Sequence, residues 1–198
     1  MRVAGFVLVG GRSSRMGRDK ARLVVAGQLL VERVARSVSA VSEETFLVGP
    51  SHLYRDLQWP CLDDERPSLG PLSGIETALA SAKGDLNLIL ACDMPDVTPT
   101  LLNELIAEAH ASRSSCVVCR DAAGIVQPLC GVWTAGSLPA VRRALGLGRL
   151  SVQKLITEIA AVSIDSIEIL SNVNTPAEWD AWQQRMASAT VSARAHVD

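Results

Sequence analysis

Val3-Ala4-Gly5-Phe6-Val7-Leu8-Val9 is an unbroken apolar run that stops at Gly10-Gly11. A run this short, rich in β-branched residues and closed by glycine, has the pattern of a strand buried on both faces and entering a tight loop. Such strands belong to parallel sheets that carry helices on either side. The following segments keep that alternation. Leu29, Leu30, Val34 and Val38 recur at near-helical spacing, and Thr45-Phe46-Leu47-Val48 reads as a second strand. Pro71 suits the first turn of a helix with Leu72, Ile75, Leu79 and Ala82 on one face, and Leu86 to Ala91 reads as another strand. Thr98-Pro99 caps a helix bearing Leu101, Leu102, Leu105 and Ile106. Strands follow at 115–120 and 125–132, helices at 139–145 and 151–159, and a short strand at 161–164. Thr175-Pro176-Ala177-Glu178 is a capping box with proline at the first helical position, opening a helix with Trp179, Trp182 and Met186 on one side. Alternating elements of this kind predict an α/β fold with a mostly parallel sheet.

The chain has 198 residues, of which 48% are hydrophobic, a length that fits one ordinary domain. Residues 1–187 are expected to form that domain. The apolar pattern stops near Ser188, so 188–198 are expected to be a disordered tail. The formal charge is −2, which supplies no general attraction to nucleic acid or to an anionic membrane, and neither is expected as a partner. No stretch approaches the roughly 18 apolar residues of a membrane span, and a cytoplasmic location is expected. Five cysteines, an odd number without a signal peptide, argue for thiols rather than a disulfide framework. Cys116-Val117-Val118-Cys119 has the spacing of half a metal site, but no second pair follows and the segment reads as a buried strand. The three histidines are scattered.

In open α/β sheets, ligands bind outside the carboxyl ends of the strands, and two polar groups of residues fall there. Gly10 to Lys20 holds three glycines, two serines and four basic residues directly after the first strand. Glycines let backbone amides approach an anion closely, and cationic side chains offset phosphate charge. The spacing is neither that of a P-loop nor G-x-G-x-x-G. Cys92-Asp93-Met94-Pro95 follows the strand ending at Ala91, where a carboxylate can hold a divalent ion; Mg²⁺ takes one or two carboxylates and completes its shell with phosphate oxygens and water. Together they are the equipment of nucleotide phosphate chemistry. A third segment, Asp63 to Gly74, adds carboxylates and a glycine-bracketed entry to a helix.

Leu8-Val9-Gly10-Gly11 with Ser13, Arg15-Met16-Gly17 and Asp19-Lys20 resembles the signature L-A-G-G-x-S-x-R-M-G-x-D-K of nucleotidyltransferases that act on molybdopterin. Asp64 with Pro67 and Gly70-Pro71-Leu72-Ser73-Gly74, then Cys92-Asp93-Met94-Pro95, Gln127-Pro128-Leu129 and Asn172-Val173-Asn174-Thr175-Pro176 are similar to the molybdenum cofactor guanylyltransferases, in the same order. The resemblance runs from residue 6 to about 183. Cytidylyltransferase relatives differ at several of these points, with a second alanine in the first motif and a G-D-Q-P-like motif after the later strand.

The resemblance implies a Rossmann-like three-layer sandwich that transfers GMP from Mg²⁺-GTP to the terminal phosphate of molybdenum-bound molybdopterin, releasing pyrophosphate. It places Leu8, Val9, Gly10 and Gly11 against the nucleotide, Lys20 and Arg15 on phosphate, Asp64 on GTP, and Asp93 on GTP and Mg²⁺. Gly74, Asn172 and Asn174 match positions on the pterin side. Molybdoenzyme apoproteins or cofactor chaperones are the protein partners it suggests. The attacking phosphate is already ionised, so positioning and charge neutralisation suffice and no general base is required. The motif's alanine is Val9 here. Where some relatives carry a nucleotide-contacting asparagine after the second strand, this chain has Gly49, which leaves base recognition to backbone groups or another side chain. Gly148-Arg149-Leu150-Ser151 matches a basic segment of the family loosely, through Arg149. The alternatives are a cytidylyl- or other nucleotidyltransferase with a different acceptor, and a non-catalytic nucleotide-binding or cofactor-delivery protein.

Overall fold

The apolar run at the N-terminus forms the middle of a sheet. In a computed structural model of the chain, which describes residues 1–10, 19–25, 27–167 and 170–194, β1 (Val3–Leu8) lies between two parallel neighbours. The further elements are β2 (Val24–Val25), β3 (Gln28–Leu29), α1 (Leu30–Ser39), β4 (Glu44–Val48), β5 (Cys61–Leu62), α2 (Pro71–Ala80), β6 (Leu86–Ala91) and α3 (Pro99–Ser112). They are followed by β7 (Cys116–Arg120), β8 (Val126–Thr134), α4 (Leu138–Gly146), α5 (Val152–Glu158), β9 (Val162–Asp165) and α6 (Pro176–Arg194). Among the described residues, the main sheet has seven strands in the order β5-β4-β1-β6-β8-β7-β9. β5, β4, β1 and β6 run parallel, β8 is antiparallel to both neighbours, and β7 and β9 are parallel. The exception at β8 has a local cause: the turn after β7 is only a few residues long, and a parallel return needs a dozen or more.

Strand alternation sorts the core into two layers. Ala4, Phe6 and Leu8 pack with Leu72 and Ile75 of α2, Val141 of α4 and Leu155 of α5. Val7 and Val9 pack with Val31, Val34 and Val38 of α1 and with Leu101, Leu102 and Leu105 of α3. The result is the three-layer α/β/α sandwich expected. Gly5 allows α1 its close approach, because a Cβ there would fall 2.2 Å from Val38 Cγ1. Overpacking of this kind costs about 1–3 kcal/mol.

Cys116 and Cys119 are both buried in β7, one in each core layer. Three residues apart on a strand, they face opposite sides of the sheet and cannot share a ligand. No disulfide joins any of the five cysteines, and burial pushes the Cys116 thiol up. No helix among the described residues is long and apolar enough to cross a membrane.

Three local readings shift. Leu29 belongs to the short β2–β3 hairpin, turned at Gly27 with φ +78°, and the helix begins one residue later where Glu32 accepts from the Leu29 N–H at 3.1 Å. Ala82 stands beyond the end of α2 in the left-handed region, φ +52°, rather than on its face. The last helix opens on the capping box expected, with the Glu178 carboxylate accepting from the N–H groups of Asn174 and Thr175 at 2.7 and 2.9 Å. It runs past Ser188 to Arg194, through alanine-, serine- and arginine-containing sequence that lacks apolar periodicity but carries no helix breaker.

Candidate active site

Parallel pairing brings the carboxyl ends of β4, β1 and β6 to one edge, with Leu8 opposite both Val48 and Ala91. The ladder continues one step, as the Val9 N–H donates to Val48 O at 2.8 Å and the Cys92 N–H to Leu8 O at 3.1 Å. Gly10, Gly49 and Asp93 are therefore neighbours on the rim. Gly10 has φ +101°, and a Cβ on it would meet Pro50 Cδ at 2.9 Å. Gly49 has φ +153°, and a Cβ there would fall 1.9 Å from the Val9 carbonyl oxygen. The backbone at Gly49 fits against that of Val9, and a side chain there would clash with it. Gly11 and Arg15, expected in the loop after Gly10, lie outside the described residues.

Lys20 opens a single 3-10 turn whose cap is Asp19, with Oδ1 accepting from the Ala21 N–H at 3.0 Å. The other Asp19 oxygen accepts from the buried Tyr54 hydroxyl at 2.9 Å; burial first and Asp19 second push the Tyr54 phenol well up. Held this way, Lys20 donates from Nζ to Asp93 Oδ2 at 2.5 Å and to Asn174 Oδ1 at 3.0 Å. Both charged side chains are mostly covered, at 18% and 15% exposure, so they interact more strongly than a surface pair. The Asp93 carbonyl accepts from the Val173 N–H at 2.9 Å, tying the segment before α6 to the end of β6. Residues 20, 93 and 174 meet at one point. Asp93 Oδ1 has no described partner.

A second pole forms beside it. A Cβ on Gly74 would lie 3.0 Å from Leu8 Cδ2 and 3.6 Å from Asp64 Oδ1, so Gly74, Leu8 and Asp64 are in contact distance. Asp64 Oδ1 is buried with no hydrogen-bond partner among the described residues, and burial, with the charge of Asp63 second, raises its pKa. The loop that presents Asp64 is fastened to buried polar side chains of α2. The Glu65 N–H donates to Thr77 Oγ1 at 3.0 Å, the Arg66 N–H to Ser73 Oγ at 3.2 Å, and Arg66 Nε lies 2.9 Å from Glu76 Oε2.

On the other flank, the Asn172 side-chain amide donates from Nδ2 to Gln127 Oε1 at 3.0 Å, and Gln127 donates from Nε2 to Asp121 Oδ2 at 2.9 Å. Asp121 and Tyr54 carry no motif by themselves. The turn signal Asp121-Ala122-Ala123-Gly124 marks the first as a turn residue, and nothing in spacing shows where either points. Arg149 sits in the turn between α4 and α5, exposed, 3.9 Å from Glu158; its described partner is that surface carboxylate. Among the described residues, no cluster of three or more His, Cys, Asp or Glu side chains could alone hold a metal. Asp93 could hold one only with oxygens supplied by a ligand. The arrangement can bind a polyanion, neutralise it with Lys20 and present a carboxylate to a cation carried with it.

Comparison with known proteins agrees with this architecture. A family model described as the MobA-like NTP transferase domain matches residues 5–162. A protein of Carboxydothermus hydrogenoformans named "Probable molybdenum cofactor guanylyltransferase" is 31% identical over 183 residues, 88% of this chain and 91% of its own length. The solved structure of molybdopterin-guanine dinucleotide biosynthesis protein A from Archaeoglobus fulgidus superposes with a TM-score of 0.79 at 22% identity, covering 95% of this chain and 100% of that one. A protein of Mycobacterium tuberculosis H37Rv, solved in complex with manganese, has a TM-score of 0.63 at 19% identity, covering 93% and 99% of the two chains. The two solved structures share the fold.

Proposed function

From its membership of the MobA-like NTP transferase family, which makes the chain a nucleotidyltransferase, we propose that it transfers GMP from GTP to the terminal phosphate of molybdenum-bound molybdopterin in the cytoplasm. The junction of Lys20, Asp93 and Asn174 carries the reading. It joins the residue proposed for phosphate, the residue proposed for metal and one proposed for the pterin side within hydrogen-bonding distance, from three distant parts of the chain. The relative from Carboxydothermus hydrogenoformans, named for this activity, supports the choice of nucleotide and acceptor.

In the reaction, an oxygen of the molybdopterin phosphate attacks the α-phosphorus of GTP, a new P–O bond forms, and the bond to the β-phosphate oxygen breaks to release pyrophosphate. The nucleophile is already an anion, so the protein's task is placement and charge neutralisation. Lys20 offsets phosphate charge and Asp64 contacts GTP. Leu8, Val9, Gly10 and Gly11 offer backbone groups to the nucleotide, and Arg15 is a second cation for phosphate. Gly74, Asn172 and Asn174 face the acceptor. Asp93 fits a Mg²⁺ that arrives with GTP, because Oδ1 has no described partner and one carboxylate suffices when phosphate oxygens complete the shell. Bound there, the ion would supply positive charge to the phosphates as charge shifts to the leaving group. Protein partners that receive the product belong to the same proposal.

A panel of GTP, CTP, ATP and UTP with molybdopterin, scored by pyrophosphate release with and without Mg²⁺, tests it. GTP is expected to be preferred, with release dependent on both acceptor and metal. Preference for CTP would establish the cytidylyl reading instead, and binding without release a delivery protein. Asp93→Ala is expected to abolish release with the far-UV spectrum unchanged, and an active variant contradicts the metal assignment.

A further inference from the structure

A buried carboxylate, linked to Asn172 through Gln127, sets what that asparagine offers to a ligand. Asp121 is buried at the β7–β8 turn, and its Oδ1 accepts from the N–H groups of Ala123 and Ile125 at 3.0 and 2.9 Å. Burial raises its pKa, but the hydrogen bonds from Ile125, Gln127 and Ala123 outweigh that, so the group stays below the ordinary Asp range and ionised at neutral pH. An ionised carboxylate has no proton to donate. Whatever faces Asp121 Oδ2 must therefore be a donor, and the amide of Gln127, itself only 6% exposed, must turn its NH₂ inward. Its carbonyl is then left facing Asn172, which must answer with its own NH₂. Asn172 Oδ1 is what remains, and it accepts from no described residue. Amide orientations are often ambiguous, since the two ends have the same shape. Here one end of the chain is a group that can only accept, and that removes the ambiguity for both amides.

We propose that Asp121 and Gln127 are positioning residues that fix the Asn172 side chain with its carbonyl outward, so that this position recognises a hydrogen-bond donor, an N–H of the heterocycle of the acceptor substrate. The proposal rests on the reading of Asn172 as lying on the pterin side. It adds a sense of hydrogen bonding and its origin in β7 and β8. Asn174 has the opposite sense: it accepts from the Lys20 ammonium through Oδ1, which leaves its NH₂ as the outward group. Two residues apart, the asparagines present one acceptor and one donor.

The relay makes an unusual prediction, because one atom at its root inverts it. In Asp121→Asn the new amide keeps its oxygen on the two backbone N–H groups and turns its NH₂ toward Gln127. Both downstream amides flip, and Asn172 becomes an outward donor opposing the substrate N–H. KM for molybdopterin is expected to rise about tenfold, the scale of a mismatched buried hydrogen bond, while KM for GTP stays within twofold. Adding Asn172→Asp to Asp121→Asn restores an outward acceptor next to the inward NH₂ of the flipped Gln127. The double variant is expected to recover most of the loss, although Asn172→Asp alone, facing the Gln127 carbonyl, is impaired. A rise in KM for GTP in place of molybdopterin, or a double variant worse than both singles, overturns the assignment. An unchanged KM for molybdopterin in Asp121→Asn does the same. The wild-type protein is tested without relying on any variant to fold, by through-hydrogen-bond NMR couplings among side-chain amides. A coupling from the Asn172 NH₂ to the Gln127 carbonyl carbon is expected, and one from the Gln127 NH₂ to the Asn172 carbonyl carbon refutes the relay. Wild-type protein that releases no pyrophosphate with GTP and molybdopterin overturns the parent reading, a failure separate from any of these.

Discussion

Asp64 stands in the folded chain at a cost. One of its oxygens is buried with no hydrogen-bond partner among the described residues, and its pKa is raised first by that burial and then by Asp63. A carboxyl whose folded pKa lies above its unfolded one favours the folded state most when protonated. Its contribution is full below the ordinary value of 3.8 and is lost as pH rises through the folded pKa. At neutral pH the charge is a net cost, one that a ligand donating to the free oxygen would relieve. Asp64→Asn is therefore expected to raise Tm at pH 7.5, with the gain shrinking as pH falls toward the ordinary carboxyl range, and to weaken nucleotide turnover. A Tm gain of the same size at every pH would show that the charge is not its source. Sites that give up stability for function are common. At this scale the sequence singles out Asp64, Asp93, Lys20 and the two asparagines as candidates, because each sits in a motif with a fixed offset from a strand or cap, and the fold sets Lys20, Asp93 and Asn174 together. Tyr54 and Asp121 were not legible, since what they do depends on side chains from elsewhere in the chain.

The second helix, α2, shows what an apolar period conceals. Its start at Pro71 and its apolar residues Leu72, Ile75 and Leu79 follow from spacing, yet Ser73, Glu76 and Thr77 are buried as well. They form a polar stripe at the i, i+3, i+4 positions of one face, and their partners are not solvent but the loop that carries Asp64. Glu76 also receives Arg142 of α4, whose Nε donates to Oε1 at 3.2 Å. One carboxylate thus joins a helix, a neighbouring helix and a site loop through two arginines that are each about half exposed. Water can replace part of either arginine, so Arg66→Ala or Arg142→Ala alone is expected to cost about 1 kcal/mol. With both removed the buried charge has no partner, and the loss is expected to reach about 3 kcal/mol or more, above the sum of the singles. Urea unfolding of the three variants measures this, and strict additivity would mean that the arginines act independently. Arg66→Ala alone is also expected to raise KM for GTP, because it frees the loop that holds Asp64. Sequence patterning finds helices through their apolar faces. A buried acid with two cationic partners looks in sequence like any exposed glutamate.

At the scale of the whole molecule, the candidate site comes together only when the chain has closed on itself. Lys20, Asp93 and Asn174 are separated by 73 and 81 residues in sequence, yet they share two hydrogen bonds. The alternation of apolar runs points to a mostly parallel sheet, and the pairing of β6 with β1 sets Asp93 beside the carboxyl end of β1. The return of the C-terminal segment does not follow from any run. It depends on Trp182, buried against Leu23, Leu30 and Val173, with its indole N–H donating to Asp96 Oδ1 at 2.6 Å and the Arg33 guanidinium 5.5 Å from its ring centroid. Asp96 lies three residues beyond Asp93, so the anchor of α6 and the proposed metal carboxylate occupy the same short loop. In the wild type, loss of nucleotide turnover and loss of far-UV ellipticity in urea are expected to coincide, since docking of α6 and formation of the sheet are one transition. Trp182→Phe keeps an aromatic ring in the contact but leaves Asp96 without its indole donor, a penalty of about 1–3 kcal/mol on the docked segment. The sheet core, which Trp182 does not enter, is not weakened by the same amount. The two transitions are then expected to separate, with activity lost at lower urea than secondary structure and with KM for the acceptor rising before KM for GTP. If the curves stay superimposed in Trp182→Phe, α6 is an integral part of the core, and the Asn174 contact is as stable as the sheet beneath it.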